Sequence, residues 1–287
     1  MTDVQDSGKS DDYFALYDKS ELTYANSFPQ WYKRWFIKGV EWVTARPFLY
    51  RRMRRFQGNR SVGHQFWKDV LDEMGIELLT PDGDYEHIPK TGPVIIVSNH
   101  PHGLIDGLVM GCLLSKVRDD FQILTRALLV GVERVEPNLI PVAFPHEEDS
   151  IRQNVEARAR AMRSVKEGGC VALFPAGTVS TSETWFGEPK ERNWATFTAK
   201  MILQSNATVV PIYFTGSNTR MFHIANRISD MLRQSLLLFE IKAAFNKKQR
   251  PVIGQPVDPA VIQSFSKDRE GLMAYLREET LKLKPKA

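Results

Sequence analysis

The order of apolar and polar stretches predicts an α/β fold: a single domain with a mostly parallel, mixed sheet flanked by helices, preceded by a basic and aromatic amphipathic segment. Two observations carry this. From Gly63 onward, short Val- and Ile-rich runs of strand length alternate with stretches of helical length. Across 287 residues, 43% are apolar and 25% charged, which is the composition of one large domain with a full core.

Residues 1–27 are polar and acidic, with Asp3, Asp6, Asp11, Asp12 and Asp18, and predict a disordered leader. No apolar signal core follows them, so secretion is not expected. Residues 28–62 form a second unit. There Lys33, Arg34, Lys38, Arg46, Arg51, Arg52, Arg54 and Arg55 face one acid, Glu41, and Trp31, Trp35 and Trp42 are interleaved at helical spacing. Such a segment suits the headgroup layer of a bilayer, with Trp31, Trp35, Trp42, Arg51, Arg52, Arg54 and Arg55 as the contacts. A helix docked on the domain with solvated arginines explains the same pattern, and the two readings can coexist. No nucleic-acid motif accompanies the cluster, so no nucleic-acid partner is expected.

Residues 63–287 form the third unit. Val94–Ser98 is a buried strand behind Gly92-Pro93, and Leu104–Leu114 has helical length. Gln122–Leu124 and Ile140–Phe144 read as strands. Ser150–Lys166 is a polar helix stopped by Gly168-Gly169. Val171–Phe174 is a strand, Trp194–Gln204 a helix, and Val209–Phe214, Leu236–Ile241 and Pro251–Ile253 are strands. Asp268–Leu283 closes the chain as a helix. The longest apolar stretch, Leu104–Leu114, is broken by Asp106, so no membrane span is expected. Cys112 and Cys170 lie in apolar runs and fit a reducing compartment.

Working residues in such sheets gather at the carboxyl ends of strands. Ser98-Asn99-His100-Pro101-His102-Gly103-Leu104-Ile105-Asp106 follows one strand, and Phe174-Pro175-Ala176-Gly177-Thr178-Val179-Ser180 another. A histidine on a strand-to-helix turn suits a general base, and a carboxylate nearby can fix its tautomer and support the imidazolium. Asp106 is within chain reach of both His100 and His102. Alternatively, His100-x-His102 with Asp106 resembles the ligand set of a zinc hydrolase. Its remaining ligands would come from His64, His87, His146 or His223, none of which sits in a second metal-binding pattern. No Gly-x-Ser-x-Gly elbow and no phosphate-cradling Gly-x-x-x-x-Gly-Lys loop occurs.

Together the two segments resemble the glycerolipid (lysophospholipid) acyltransferase family. That family carries Asn-His-x4-Asp and, after a later strand, Phe-Pro-Glu-Gly-Thr-Arg; Asn99-His100 with Asp106, and Phe174 to Thr178, are similar to them. Val209-Val210-Pro211-Ile212 resembles its fourth block, and the likeness spans roughly residues 75–255. His100 and Asp106 are separated by five residues instead of four. Asn-His-Pro-x-Gly-x-x-Asp-Gly, Phe-Pro-Ala-Gly-x-Val-Ser and Gly216-Ser217-Asn218 are similar to the haemolysin-like branch that acylates lyso-ornithine lipids.

The resemblance implies catalysis by His100 and Asp106, with no metal and no cofactor. Asn99, His102, Gly103 and Arg126 would line the substrate site from one side. Phe174, Pro175, Ala176, Gly177, Thr178 and Ser180 would line it from the next loop, with Pro211 and Asn218 beyond. An acyl thioester, on acyl-carrier protein or CoA, would be the co-substrate, and backbone N–H groups near Gly103 or Gly177 would hold the oxyanion. Members that take lysophosphatidic acid place arginines where Phe144 and Val179 stand here. That absence favours a lyso-aminolipid acceptor, whose carboxylate Arg126, Lys200 or Arg220 could meet. A lysophosphatidic acid acyltransferase and a metal-dependent hydrolase are the alternatives. The expected location is the cytoplasmic face of the inner membrane, peripheral or monotopic, with acyl-carrier protein as a partner.

Overall fold

The computed structural model describes residues 22–56, 61–126, 136–143 and 149–285. The leader up to residue 21, together with Phe144 and His146, lies outside the described residues. The chain opens with helices α1 (Trp31–Thr44), α2 (Arg46–Phe56) and α3 (Gly63–Glu73). It continues through β1 (Glu77–Leu78), β2 (Val94–Ser98), α4 (Leu104–Ser115), β3 (Phe121–Arg126), β4 (Leu139–Val142), α5 (Ser150–Lys166) and β5 (Cys170–Leu173). A small hairpin of β6 (Thr181–Ser182) and β7 (Pro189–Lys190) precedes α6 (Thr196–Ser205) and β8 (Thr208–Tyr213). Helices α7 (Arg220–Ile228), α8 (Asp230–Ser235) and α9 (Leu237–Ala243) follow. Strands β9 (Lys248–Gln249) and β10 (Val252–Ile253) and helices α10 (Pro259–Ser264) and α11 (Arg269–Lys282) complete it.

Among the described residues the main sheet has six strands in the order β10-β8-β2-β5-β3-β4. Every pairing is parallel except the edge pair β10–β8. Helices cover both faces, so β2 and β5 are buried throughout and need unbroken Val/Ile/Leu-type runs. Alternate residues serve separate cores: Val94 and Ile96 pack with α3, α4 and α9, while Ile95 and Val97 pack with α5, α6 and α11. Trp67 of α3 lies flat against Gly111 of α4, leaving no room there for a Cβ. Pro211 sits inside β8 yet breaks no ladder. Its carbonyl accepts from Gly254 N on the β10 side, so the missing N–H points where β10 has already ended.

The apolar run Leu236–Ile241 forms helix, not strand. Leu236, Leu238, Glu240 and Ile241 are all buried, and Lys242, Ala243 and Ala244 extend a helix-favouring sequence. Residues 22–27, grouped by composition with the leader, are packed: Thr23, Tyr24, Ala25 and Ser27 are buried. Glu41, the acid among the arm's basic residues, holds them by accepting from Thr23 Oγ1 at 2.5 Å and Tyr24 N at 2.8 Å.

The arm α1–α2 is docked on the domain and keeps a solvent face. Ile37 and Leu49 are buried, Gln234 of α8 donates to Ser27 Oγ, and Lys242 of α9 donates to the Thr44 carbonyl. On the opposite side of α1, Trp31, Trp35 and Trp42 are 78%, 77% and 65% exposed. Arg52 departs from the solvent-facing role expected of it. It pairs with Glu73 at 3.0 Å and its guanidinium sits over Phe48 and Phe245. Arg51, Arg54 and Arg55 instead line a shallow cavity with Pro47 and Tyr50. No described helix is long and apolar enough to cross a membrane.

At the amino-terminal edge of the sheet, buried Arg118 staples three loops. It donates to the carbonyls of Pro89, Gly92 and Gly168 and forms a two-pronged pair with Asp120. Replacing it with Met would strand three carbonyls, so Arg118→Met should cost on the order of 3 kcal/mol in urea unfolding. Unchanged stability would show that water replaces the guanidinium.

Candidate active site

Strands β8, β2 and β5 are neighbours in parallel register, so the loops leaving their carboxyl ends meet at one edge. The loop after β2 turns into α4 through Gly103, whose φ of +79° suits a residue without Cβ. That turn brings the fully buried Asp106 carboxylate back under the loop. Oδ2 accepts from His100 Nδ1 at 2.9 Å, His102 N at 2.8 Å and Gly103 N at 3.1 Å, and Oδ1 accepts from His102 Nδ1 at 3.0 Å. Burial alone would raise the carboxyl, but the hydrogen bonds and charges of His100 and His102 outweigh it and lower Asp106 from 3.8 to about 2.

An ionised carboxylate only accepts, so both Nδ1 atoms carry the proton. In its neutral form each ring then presents a lone pair at Nε2, the atom a general base uses. The two rings differ in surroundings. His100 stacks on Phe174 with centroids 4.0 Å apart. His102 turns its Nε2 toward Gly216, where a Cβ would come to 3.0 Å.

The remaining predicted site residues divide. Asn99 serves as a strut: its amide donates to the Phe214 carbonyl at 2.9 Å and accepts from Phe214 N at 2.7 Å. This two-way clamp joins the ends of β2 and β8. The Gly103 N–H is occupied by Asp106 and the Gly177 N–H by the Phe174 carbonyl, so neither points at an oxyanion. Pro211 is buried within β8, with its ring beside Gly254.

Pro175 accepts from Ala195 N, while Ala176 is half-buried and Gly177 exposed on the loop after β5. Thr178 Oγ1 donates to the Val179 carbonyl, and Val179 packs beside Gly103. Asn218 is buried, with Nδ2 lacking a partner among the described residues. Arg126 ends β3, but its side chain lies outside the described residues. Lys200 lies on the exposed side of α6, and Arg220 donates to the Gly187 carbonyl.

The histidines considered as further metal ligands sit elsewhere. His64 bonds Ser115 and His87 the Ile253 carbonyl, while His223 is buried in α7. Among the described residues no group of three or more His, Cys, Asp or Glu side chains is arranged so as to hold a metal ion.

Glu191 was not anticipated. It is buried beside the histidine loop, where Oε2 accepts from Ser180 Oγ at 2.5 Å and His100 N at 3.3 Å, and Oε1 accepts from Trp194 Nε1 at 3.0 Å. Ser180 N also donates to the His100 carbonyl. The two loops are thereby stitched together on both sides of the His100 peptide. In the sequence Glu191 stands in a charged stretch, Glu188 to Arg192, that reads as solvated surface. Its one signal is the tryptophan three residues on.

Residues 83–215 match a family model described as Acyltransferase. The chain is similar to a lyso-glycine lipid O-acyltransferase of Phocaeicola vulgatus, 27% identical over 175 residues, covering 55% of this chain and 58% of that protein. A protein of the same name from Bacteroides thetaiotaomicron is 26% identical over 175 residues, covering 55% and 60%. The matched region thus spans somewhat more than half the length of these relatives. Among solved structures, the 1-acyl-sn-glycerophosphate (LPA) acyltransferase PlsC of Thermotoga maritima superposes with a TM-score of 0.47 at 18% identity, covering 88% of this chain and 94% of that one.

Two outcomes test the geometry. All three partners of Glu191 are donors, so Glu191→Gln sets an NH2 group against at least one of them and should cost about 1–2 kcal/mol in urea unfolding. The depressed Asp106 carboxyl contributes stability that is present above 3.8 and lost as pH falls toward 2. The stability gap between the native protein and Asp106→Asn should therefore narrow as pH drops through that window. A gap independent of pH would mean the carboxylate is not held ionised by the histidines.

Proposed function

We propose that this chain, whose residues 83–215 match the acyltransferase family model, moves a fatty acyl chain from a thioester to the hydroxyl of a lyso-aminolipid at a membrane surface. The observation that carries the reading is the grip of one ionised, fully buried carboxylate on Nδ1 of His100, which leaves Nε2 as the proton acceptor. His100 is assigned as the base over His102 because the His102 Nε2 points into the space beside Gly216, 3.0 Å from where a Cβ there would stand.

In the reaction, His100 Nε2 takes the proton from the acceptor hydroxyl as its oxygen attacks the thioester carbonyl carbon. The tetrahedral adduct collapses, the carbon–sulfur bond breaks, and the imidazolium returns its proton to the departing thiolate. Asp106 stays ionised throughout and stabilises the imidazolium. The nucleophile belongs to the substrate, so the step needs no acyl-enzyme.

Support for an acceptor with a carboxylate in place of a phosphate comes from the hydrocarbon of Val179 packed beside Gly103, where phosphate-taking members place an arginine. The lyso-glycine lipid named for the two relatives is an acyl amino acid of that kind, as is a lyso-ornithine lipid. The donor we assign is acyl-carrier protein. The protein lies peripherally on the cytoplasmic face, through the exposed tryptophans of α1 and through Arg51, Arg54 and Arg55.

The test is a competition. Purified protein receives acyl-carrier-protein thioester with lyso-glycine lipid, lyso-ornithine lipid and lysophosphatidic acid together, a parallel reaction uses acyl-CoA, and products are identified by mass. Acylated aminolipid is expected, and preferential acylation of lysophosphatidic acid would refute the acceptor assignment. His100→Ala should lower turnover roughly a thousandfold with folding intact, and His102→Gln much less. The reverse order would move the base to His102.

A further inference from the structure

The hairpin β6–β7 and helix α7 expose apolar side chains that no described residue covers and that the proposed reaction does not use. At the hairpin tip Trp185 and Phe186 are 47% and 81% exposed. On α7, Met221 and Ile228 are exposed and Ile224 half-buried, at spacings of three and four that set them in one stripe, while Phe222, His223 and Ala225 face inward. The next stripe, Arg220 and Arg227, ties the two elements together. Arg220 donates to the Gly187 carbonyl at 2.9 Å, and the Arg227 guanidinium lies over the Trp185 ring. Hairpin tip and helix therefore present one surface with aromatic, aliphatic and guanidinium groups side by side.

That surface borders the histidine loop on two sides. The hairpin begins one residue after Ser180, whose N–H holds the His100 carbonyl. Helix α7 begins shortly after Gly216, which abuts His102, and its capping Thr219 is pinned by Glu240. It also adjoins the tryptophan arm. Helix α8 is wedged between α7 and α1: Arg233 donates to Asn226 of α7, Gln234 donates to Ser27, and Met231 packs on Phe28 and Ile37.

We infer that the β6–β7 tip and the outer stripe of α7 form a second lipid-docking surface, which seats the rim of the catalytic loops on the bilayer independently of the α1 tryptophans. The inference rests on the proposed lipid acyltransfer. The occupant is a bilayer, because rings and aliphatic chains flanked by arginines match the acyl and headgroup zones, and because α8 packs both on α7 and beneath α1, whose tryptophans are exposed. The arm alone would bring the protein to the membrane. This surface sets the histidines over it.

The test uses the full chain and mixed phosphatidylcholine and phosphatidylglycerol vesicles. Trp185→Ser with Phe186→Ser, and separately Met221→Ser with Ile228→Ser, should each weaken vesicle flotation about tenfold, and further so on a Trp31→Ser, Trp35→Ser, Trp42→Ser background. With vesicle-borne acceptor the apparent KM should rise about tenfold, while transfer to a dispersed short-chain acceptor stays unchanged. Flotation unchanged in both pairs, with acyl transfer intact, overturns this inference and leaves the proposed function standing. Flotation lost in a protein that acylates no lysolipid overturns the function and keeps the surface. A change in oligomeric state in place of flotation makes the face a protein contact and also overturns the inference.

Discussion

Four donors converge on the Asp106 carboxylate because the chain reverses at Gly103, and that convergence shapes everything near it. Two of the donors are backbone N–H groups, which fix the path of the loop, and two are imidazole nitrogens, which fix the rings. The same contacts hold the carboxylate ionised against the cost of complete burial. Around this centre the other loops are fastened by single polar side chains: Asn99 ties β2 to β8, and Glu191 ties His100 to the loop after β5. Removing the carboxylate would leave two rings and two amides without a common acceptor.

The arrangement also governs charge. In the proposed reaction, with both imidazoles in the neutral form, the cluster carries a net charge of minus one, and a proton taken from a hydroxyl brings it to zero. The negative charge then resides on the attacking oxygen. Charge migrates a short distance instead of being separated in a poorly solvated site, where separation is costly. The stacked Phe174 ring adds an electron-rich face to the imidazole that becomes cationic.

The strands of the sheet and the histidine–aspartate pair were legible in the sequence because their determinants are local. β2 and β5 are short runs buried on both faces, and His100 and Asp106 lie in one turn. Residues whose partners are distant were not legible. Asn99 looked like a ligand, since its role depends on Phe214, whose backbone is brought beside it only by sheet pairing. Glu191 and Arg118 sit among charged neighbours and look solvated until three loops close on each. Leu236 to Ile241 failed for another reason: a short apolar run has no period to separate strand from helix, and packing against the main core decided it. The arginines of the arm divide by contacts as well, Arg52 to the protein and the others to its surface.

The close seat of Trp67 on Gly111 has a mechanical consequence. Helix α2 is joined to α3 by Arg52 with Glu73 and by the edge-to-face pair of Phe56 and Phe66, and α3 is joined to α4 where the tryptophan occupies the space a side chain would need. Helix α4 carries Asp106. An unbroken series of packed contacts thus runs from the amphipathic arm to the buried Asp106 carboxylate, with no soft layer between them. With the arm resting on a bilayer, the histidines stand at a fixed height above the lipid. In the proposed reaction that fixed height would make the protein a depth gauge, choosing among hydroxyls by how far each one rises from the membrane plane.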